Sequence, residues 1–195
     1  EEMLTQARAL VGEPERFHAW RAGDPPPPGL AGTGPFDAVV SLGNVWPQIV
    51  DESDVQGALA GFRRLLRPGG LVLLGLKAVA VRRESGNPYL PLLRREHEGR
   101  PLWFIRFVDF DVPQRSGGPP VCHFHLVVVG GDAESPATEM LLHHARPVRI
   151  WSPETLEGTF REAGFTDVHA SARLGDPAAP PTTEDVFLHA VAPPS

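Results

Sequence analysis

The sequence predicts an α/β fold, because a strand, a helix and a second strand follow one another in it. Residues 36–42 are almost wholly apolar, as in a strand buried on both faces of a parallel sheet. Residues 54–66 repeat apolar side chains at helical spacing, and Ser53 precedes them in the position of a helix cap. After the turn sequence Pro-Gly-Gly at residues 68–70, residues 71–76 form a second apolar run. This order predicts a right-handed crossover that joins two adjacent parallel strands.

The residues before this unit carry weaker signals. Residues 1–11 have the apolar spacing of a helix, and residues 16–20 are a candidate for a short strand. Residues 24–35 include four consecutive prolines and are therefore expected to form a loop. Because the chain starts inside a predicted helix with no capping residue before it, we expect it to be part of a longer protein.

The middle of the chain predicts an antiparallel insertion. Residues 102–111, 121–129 and 140–150 are three extended stretches, separated by turn-rich segments at residues 113–120 and 130–136. No helical pattern lies between them, so the three strands are expected to pair antiparallel. We expect this sheet to cover the carboxyl ends of the two parallel strands.

The end of the chain returns to the alternating pattern. Ser152 and Pro153 are a cap and a first-turn proline, and they predict a helix over residues 153–163. Strands are predicted over residues 166–172 and 185–192. The last strand is expected to lie antiparallel between residues 71–76 and the strand before it.

The composition is that of a globular domain and argues against a nucleic-acid or membrane partner. Hydrophobic residues make up 42% of the 195 residues, and the net charge is −6. Apolar runs such as residues 71–76 fall far short of the roughly 20 residues of a membrane helix, and no signal peptide is recognised. Cys122 is the only cysteine, which excludes a disulfide framework and a cysteine-based zinc finger. We expect one cytoplasmic domain over residues 1–195, with residues 77–151 as its substrate-side insertion.

Five segments, taken in chain order, resemble class I S-adenosylmethionine-dependent methyltransferases. The segments are Glu1-Glu-Met-Leu-Thr-Gln-Ala-Arg8, Gly23-Asp24, Phe36-Asp-Ala-Val-Val-Ser-Leu-Gly-Asn44, Phe62-Arg-Arg-Leu-Leu-Arg-Pro-Gly-Gly-Leu-Val-Leu-Leu74 and Glu162-Ala-Gly-Phe-Thr-Asp-Val168. The Leu-Gly-Asn at residues 42–44, followed by an antiparallel insertion, is similar to the glycine and sarcosine N-methyltransferases and their small-molecule relatives. The resemblance implies a Rossmann-like methyltransferase sheet and methyl transfer from S-adenosylmethionine to a nitrogen or oxygen of a small molecule.

Two motifs of that family are not found in this sequence. Its glycine-rich turn and its ribose-binding acidic residue both precede the helix that corresponds to residues 1–11. Gly32-Thr-Gly34 is not that glycine-rich turn, because it follows a proline-rich loop and leads through Pro35 into a strand. The resemblance therefore implies the C-terminal part of a methyltransferase, without the first two strands of its sheet. The remaining strands are expected side by side in the order of the family's fourth, fifth, seventh and sixth strands, with residues 36–42 as the edge that lacks a neighbour. We expect this chain alone to be inactive.

The resemblance also implies candidate cofactor residues. Leu42, Gly43 and Asn44 leave the first buried strand at the end where ligands bind in open α/β sheets. Asp24 would accept a hydrogen bond from the adenine amino group, and Met3 would pack on the adenine ring. The structural alternatives are a simple turn at residues 43–44, a solvated carboxylate at Asp24 and ordinary helix packing at Met3.

Candidate acceptor residues follow the strands or lie in the insertion. They are Trp46, Lys77, Asn87, Tyr89, Trp103 and Arg106. Trp46 would either wall the site or fill the core. Arg106 alternates out of register with Trp103, so the two lie on opposite faces of a strand, and an arginine there could hold a carboxylate or simply face solvent. No general base is assigned, because methyl transfer from a sulfonium mainly requires an aligned nucleophile and the exclusion of water.

Two other functions stay open at this point. The first is a non-catalytic domain that associates through the insertion sheet, and a homo-oligomer is compatible with the sequence. The second is a metal site, since His123 and His125 share one strand face and His143-His144 lies in the next strand. A barrel-type metal site would also need a carboxylate soon after the histidine pair, and the first one is Asp132.

Overall fold

Two four-stranded sheets make up the fold. The computed structural model describes residues 2–77, 79–131, 139–174, 176 and 185–194. The helices are α1 (Glu2–Val11), α2 (Pro28–Ala31), α3 (Glu52–Leu65), α4 (Val79–Ser85) and α5 (Pro153–Glu162). The strands are β1 (Phe36–Ser41), β2 (Leu66–Lys77), β3 (Leu93–His97), β4 (Arg100–Asp109), β5 (Val121–Gly130), β6 (Glu139–Arg149), β7 (Thr166–Ser171) and β8 (Asp185–Val191).

The first sheet has the predicted topology. Its strand order is β1-β2-β8-β7. β1 and β2 are parallel, with Ala38 opposite Leu71, and α3 joins them. β8 runs antiparallel to both β2 and β7. The predicted crossover and the predicted place of the last strand are both confirmed, and β1 is an edge of this sheet.

The main core lies between this sheet and the helices α3 and α5. Alternate side chains of β2 and β8 point into it, as the buried Val72, Leu74, Leu188 and Ala190 show. Trp46 is 2% exposed and lies at the centre of an aromatic group. Its ring centroid is 6.0 Å from that of Phe62, 6.1 Å from that of Trp151 and 5.5 Å from that of Phe160. Trp46 therefore fills the core, which is one of the two placements that the sequence left open for it.

The second sheet is the predicted insertion, with one strand more than predicted. Its order is β3-β4-β5-β6, and all neighbours are antiparallel. β3 escaped prediction because its sequence, Leu-Arg-Arg-Glu-His, carries four polar side chains and no alternation. The sequence does contain a turn signal, Glu98-Gly99. These two residues form the turn between β3 and β4, with φ values of 52° and 73°. The predicted turn at residues 130–136 lies mostly outside the described residues.

Contacts of the buried Arg149 fix the insertion on the first sheet. Arg149, at the end of β6, is 6% exposed, and its Nη1 lies 2.6 Å from Oε2 of Glu52 at the start of α3. Its guanidinium carbon also lies 3.8 Å from the ring centroid of Trp151. These contacts hold the second sheet against the end of the first sheet at which β1 and β2 have their carboxyl ends.

Three local predictions are wrong. Residues 16–20 are not a strand; their first residue belongs to a 3₁₀ turn at Pro14–Arg16, and no strand among the described residues pairs with them. Asp51, not Ser53, occupies the cap position of α3, and Ser53 lies inside the helix. β2 starts before the glycines, because Gly69 N–H donates to the Ala192 carbonyl at 3.1 Å and Gly70 accepts from Ala192 N–H at 2.8 Å.

Helix α1 is confirmed, although none of its residues is buried. The proline-rich loop is also confirmed, apart from the short helix α2 within it. No helix among the described residues has the length and apolar character that crossing a membrane would require.

Candidate active site

A cleft of about 710 Å³ opens where β1 and β2 end, and the insertion sheet covers it. This is the predicted position of the insertion, at the carboxyl ends of the parallel strands. The first sheet contributes Leu42, Gly43, Asn44, Gln48, Gly75, Leu76, Lys77, Asp185 and Phe187 to the lining. The insertion contributes Leu90, Arg106, Phe124, Leu126, His144, Arg146 and Val148. The volume falls within the roughly 300–1,000 Å³ of small-molecule sites.

The floor of the cleft depends on an unusual backbone at residues 43–44. Gly43 has a φ of 93° and Asn44 a φ of 66°, both in the left-handed region that favours glycine and asparagine. Asn44 N–H donates to the Gly75 carbonyl at 3.2 Å, and its side-chain Oδ1 accepts from Lys77 N–H at 2.9 Å. These bonds join the ends of β1 and β2. A Cβ at Gly43 would have no atom within 4 Å, so the backbone there is open to a ligand.

Lys77 lies beside a carboxylate at the mouth of the cleft. Its Nζ is 2.7 Å from Oδ1 of Asp185, the first residue of β8, and both side chains are partly exposed. The two residues face each other because Lys77 and Asp185 are opposite one another in the β2–β8 register. The pair contributes almost no net charge to the cleft.

The roof contains only one of the residues predicted there. Arg106 lines the cleft, and Trp103 lies on the opposite face of β4, under the guanidinium of Arg94 at 5.7 Å. Tyr89 packs on that outer face as well, with its ring centroid 6.0 Å from that of Phe107. Asn87 accepts the Tyr89 N–H in a local turn. The predicted separation of Arg106 and Trp103 is confirmed, whereas Asn87, Tyr89 and Trp103 do not line the cleft.

Besides Asp185, three polar residues of the lining were not predicted from the sequence. Arg146 Nε donates to His144 Nε2 at 2.6 Å, and Arg146 Nη1 donates to Gln48 Oε1 at 2.8 Å. Gln48 Nε2 in turn donates to the Asn44 carbonyl at 3.3 Å, which links floor and roof. The available signal was the two-residue period of β6, which puts residues 144 and 146 on one face. Only the register with β4 and β5 shows that this face is the one that carries Arg106.

Met3 and Asp24 lie away from this cleft. Met3 is 84% exposed on α1 and lines none of the described cleft. The Asp24 carboxylate is largely exposed and lies 3.6 Å from Arg21. Trp20 Nε1 donates to the Asp24 carbonyl at 2.9 Å and so fixes the loop, not the carboxylate. The structure therefore brings Leu42, Gly43 and Asn44 together with Lys77 and Arg106, but not with Met3 or Asp24.

The histidines of the insertion divide between its two faces. His144 faces the cleft, whereas His125 and His143 face outward with His125 Nδ1 and His143 Nε2 3.0 Å apart. His125 also stacks on Phe107 at 4.5 Å between ring centroids. Within the described ranges, no group of three or more histidine, cysteine or acidic side chains is arranged to hold a metal ion. Asp132 lies outside those ranges.

The outer histidine pair predicts a loss of stability in mild acid. Burial lowers the pKa of His125 below 6.5, His143 and His123 lower it further, and Asp109 opposes the shift. The unfolded chain then binds the proton first, so the free energy of unfolding decreases as the pH falls below about 6.5 and through the lower folded pKa. Urea unfolding at a series of pH values measures this. His125→Phe should flatten the slope and keep the stack on Phe107, and an unchanged slope would contradict the prediction.

No protein-family model and no curated protein matches this sequence. Solved structures do match its fold. An S-adenosylmethionine-dependent methyltransferase from Clostridium acetobutylicum aligns with 99% of this chain and 72% of its own, at 11% identity and a TM-score of 0.68. DesVI from Streptomyces venezuelae aligns with 99% of this chain and 71% of its own, at 17% identity and a TM-score of 0.60.

A third match carries the bound cofactor. The S-adenosylmethionine-bound structure of CalS10, an amino pentose methyltransferase of calicheamicin biosynthesis from Micromonospora echinaspora, aligns with 98% of this chain and 70% of its own. The identity is 16% and the TM-score 0.60. At such low identities the likeness concerns the fold, and this chain has a fold similar to that of S-adenosylmethionine-dependent methyltransferases, including enzymes that act on small molecules.

Proposed function

We propose that the protein transfers a methyl group from S-adenosylmethionine to a nitrogen or oxygen of a small molecule. The observation that supports this most is the cleft itself. It lies at the carboxyl ends of adjacent parallel strands, where open α/β sheets bind their ligands, and a separate sheet roofs it. The fold similarity to methyltransferases gives that cleft its proposed chemistry.

The residues at the floor suit the cofactor. Gly43 offers open backbone next to Asn44 and Leu42, since a Cβ at this position would have no atom within 4 Å. S-adenosylmethionine supplies a methyl group on a positively charged sulfur. The acceptor's nitrogen or oxygen forms the new bond to that methyl carbon, the carbon–sulfur bond breaks with its electron pair left on sulfur, and the acceptor's proton leaves to solvent. The roles of Met3 and Asp24 at the adenine are part of the same proposal and rest on the family resemblance.

The protein's own contribution is alignment and exclusion of water. Leu126, Phe124 and Val148 of the roof and Leu42 of the floor give the cleft apolar walls, which keep water from the reacting atoms. Lys77 and Arg106 are proposed to hold the acceptor. A reaction of this kind depends on placing the nucleophile in line with the methyl group, and misplacement by about 1 Å can cost about a hundredfold in rate.

A matched pair of variants tests the use of the cleft. Leu126 lines the cleft, and Val127, its neighbour on β5, points to the outer face opposite Ile105 and His143. Leu126→Trp should reduce methyl transfer at least about tenfold by filling the acceptor space, whereas Val127→Trp should leave the rate unchanged. The measurement is S-adenosylhomocysteine release by variants of the product of the complete reading frame, with a panel of small amines, amino sugars and hydroxy compounds as acceptors. Equal activity in the two variants, both folded by circular dichroism, would place the reaction elsewhere.

A second test concerns the extent of the cofactor site. Among the described residues, the cleft supplies Leu42, Gly43 and Asn44 but no glycine-rich turn between a strand and a helix. We expect these 195 residues alone to bind S-adenosylhomocysteine only weakly, because its charged amino-acid end and its ribose find no dedicated partners among the described residues. Calorimetry on this chain beside the product of the complete reading frame measures the difference. Micromolar binding by the short chain would contradict the expectation. Gly32-Thr-Gly34 would then have to be reconsidered as the glycine-rich turn of the cofactor site.

A non-catalytic domain that associates through the insertion is the second candidate. β6 is an edge strand, and Met140, Leu141 and Leu142 on it are 67%, 42% and 46% exposed. Concentration-dependent association that Leu142→Lys abolishes, together with no S-adenosylhomocysteine release from any acceptor, would favour this function over methyl transfer.

A further inference from the structure

The charged groups of the cleft are mostly basic. Among the described residues, five titratable side chains line it: Lys77, Arg106, His144, Arg146 and Asp185. Asp185, the one carboxylate of these five, is already paired with Lys77 at 2.7 Å. Arg106 and Arg146 take part in no salt bridge within the described part of the chain. Two uncompensated guanidinium groups therefore face one cleft.

Hydrogen bonds hold Arg146 in place. It donates to a ring nitrogen of His144 and to the side-chain oxygen of Gln48, at 2.6 and 2.8 Å. Neither contact is with a carboxylate. Such contacts position a guanidinium without cancelling its charge, so the full positive charge stays available to a ligand.

Arg106 is held at one nitrogen only. Its Nη2 donates to the Pro91 carbonyl at 3.0 Å, and its Nε is buried with no hydrogen-bond partner among the described residues. Its Nη1 donates to no described residue, so the guanidinium keeps N–H groups that an anion in the cleft can bind. The apolar side chains around it, such as Phe124 and Leu126, would strengthen that interaction by keeping water away.

The two arginines are close enough to act on one small molecule. Arg106 is opposite Leu126 on β5, and Leu126 is opposite His144 on β6. Two strand spacings separate residues 106 and 144, about 10 Å, and residue 146 is two residues further on the same face. Side chains as long as arginine can converge from these positions on a molecule that carries one or two anionic groups.

We propose that the acceptor of this cleft is an acidic small molecule, whose carboxylate or phosphate group is bound by Arg106 and Arg146 while its nucleophilic atom faces Gly43 and Asn44. The proposal rests on the proposed methyl transfer for its orientation and deepens it by naming the substrate class. Arginine suits both anions, because its planar fork can donate two parallel hydrogen bonds.

Binding of simple anions tests the site without a known acceptor. The probes are succinate and inorganic phosphate, with neutral succinamide as a control, followed by amide and side-chain NMR shifts. Arg106→Gln and Arg146→Gln should each weaken anion binding about tenfold or more, and Arg106→Lys should restore part of it. Arg100→Gln is the matched control, because Arg100 is on the same strand but pairs with Glu139 outside the cleft. Stronger binding of succinate identifies a carboxylate, and stronger binding of phosphate a phosphate group.

The outcomes separate this proposal from the proposed function. Anion binding that the two arginine variants leave unchanged, or equal binding of succinamide, would overturn the acidic-acceptor proposal even if methyl transfer occurs. Loss of S-adenosylhomocysteine binding in the arginine variants would overturn it too, because the anion bound would then be the cofactor's own carboxylate. Arginine-dependent anion binding with no methyl transfer to any acidic acceptor would sustain the anion site and refute the methyl transfer.

Discussion

Replacing Trp46 with alanine should destabilise the protein by roughly 3–5 kcal/mol, the range for a large aromatic side chain deleted from a core. Trp46 is 2% exposed and lies among Phe62, Trp151 and Phe160, with ring centroids 5.5–6.1 Å away. Its removal would leave a cavity that these rings, held by the sheet and two helices, cannot fill. Urea or thermal unfolding followed by circular dichroism measures the change.

Trp103 provides the control for this prediction. It was an equal candidate from the sequence, but it lies half-buried on the outer face of β4, with Arg94 above its ring at 5.7 Å. Trp103→Ala should cost only about 1 kcal/mol, from lost surface packing and a weak cation–π contact. If the two substitutions cost the same, Trp46 is not the centre of the core.

The parts of the fold that the sequence predicts well are those fixed by local pattern. The run at residues 71–76 has no polar face, and it lies inside the sheet, between β1 and β8. The run at residues 36–42 pairs with it as predicted, but β1 is an edge strand with no buried residue, so its expected burial on both faces is wrong. The cap pair Ser152 and Pro153 begins α5 as predicted, and the Ser152 hydroxyl accepts the Thr155 N–H at 3.1 Å. In these elements propensity, pattern and packing agree, which is why the strand order of the first sheet could be predicted.

The predictions that failed depend on contacts distant in sequence. β3 is a charged edge strand whose pairing with β4 is held by a two-residue turn, and apolar alternation cannot detect it. Residues 16–20 have the composition of a strand but pair with no strand among the described residues. Gly69 and Gly70 join β2 through bonds to Ala192, at the far end of the chain.

The candidate site shows the same division. Leu42, Gly43, Asn44 and Lys77 were found because the ends of buried strands are visible in the sequence. Arg146 was not found, since the face it occupies depends on the register of β6, which shifts between Val128 and Val129 of β5. A shift of one residue reverses which side chains face the cleft, and local sequence does not specify it.

Gly57→Ala should destabilise the protein by roughly 1–3 kcal/mol, although alanine is the better helix former by about 1 kcal/mol. Gly57 lies inside α3, against the backbone of Gly23. A methyl group at residue 57 would lie 2.5 Å from the Gly23 carbonyl oxygen and 2.6 Å from its Cα. Backbone atoms cannot rotate away as a side chain can, and Gly23 is itself constrained by its φ of 95°. The loop that carries Asp24 would therefore have to move off the helix.

Gly158→Ala is the matched control, and it should have the opposite sign. Gly158 lies in the middle of α5, and a methyl group there would meet no atom within 4 Å, so only the helix propensity changes. We expect Gly158→Ala to raise the free energy of unfolding by about 0.5–1 kcal/mol. Chemical unfolding of both variants measures the two effects side by side. If Gly57→Ala is also stabilising, the loop is not packed on α3 at residue 57, and the placement of Asp24 beside that helix is wrong.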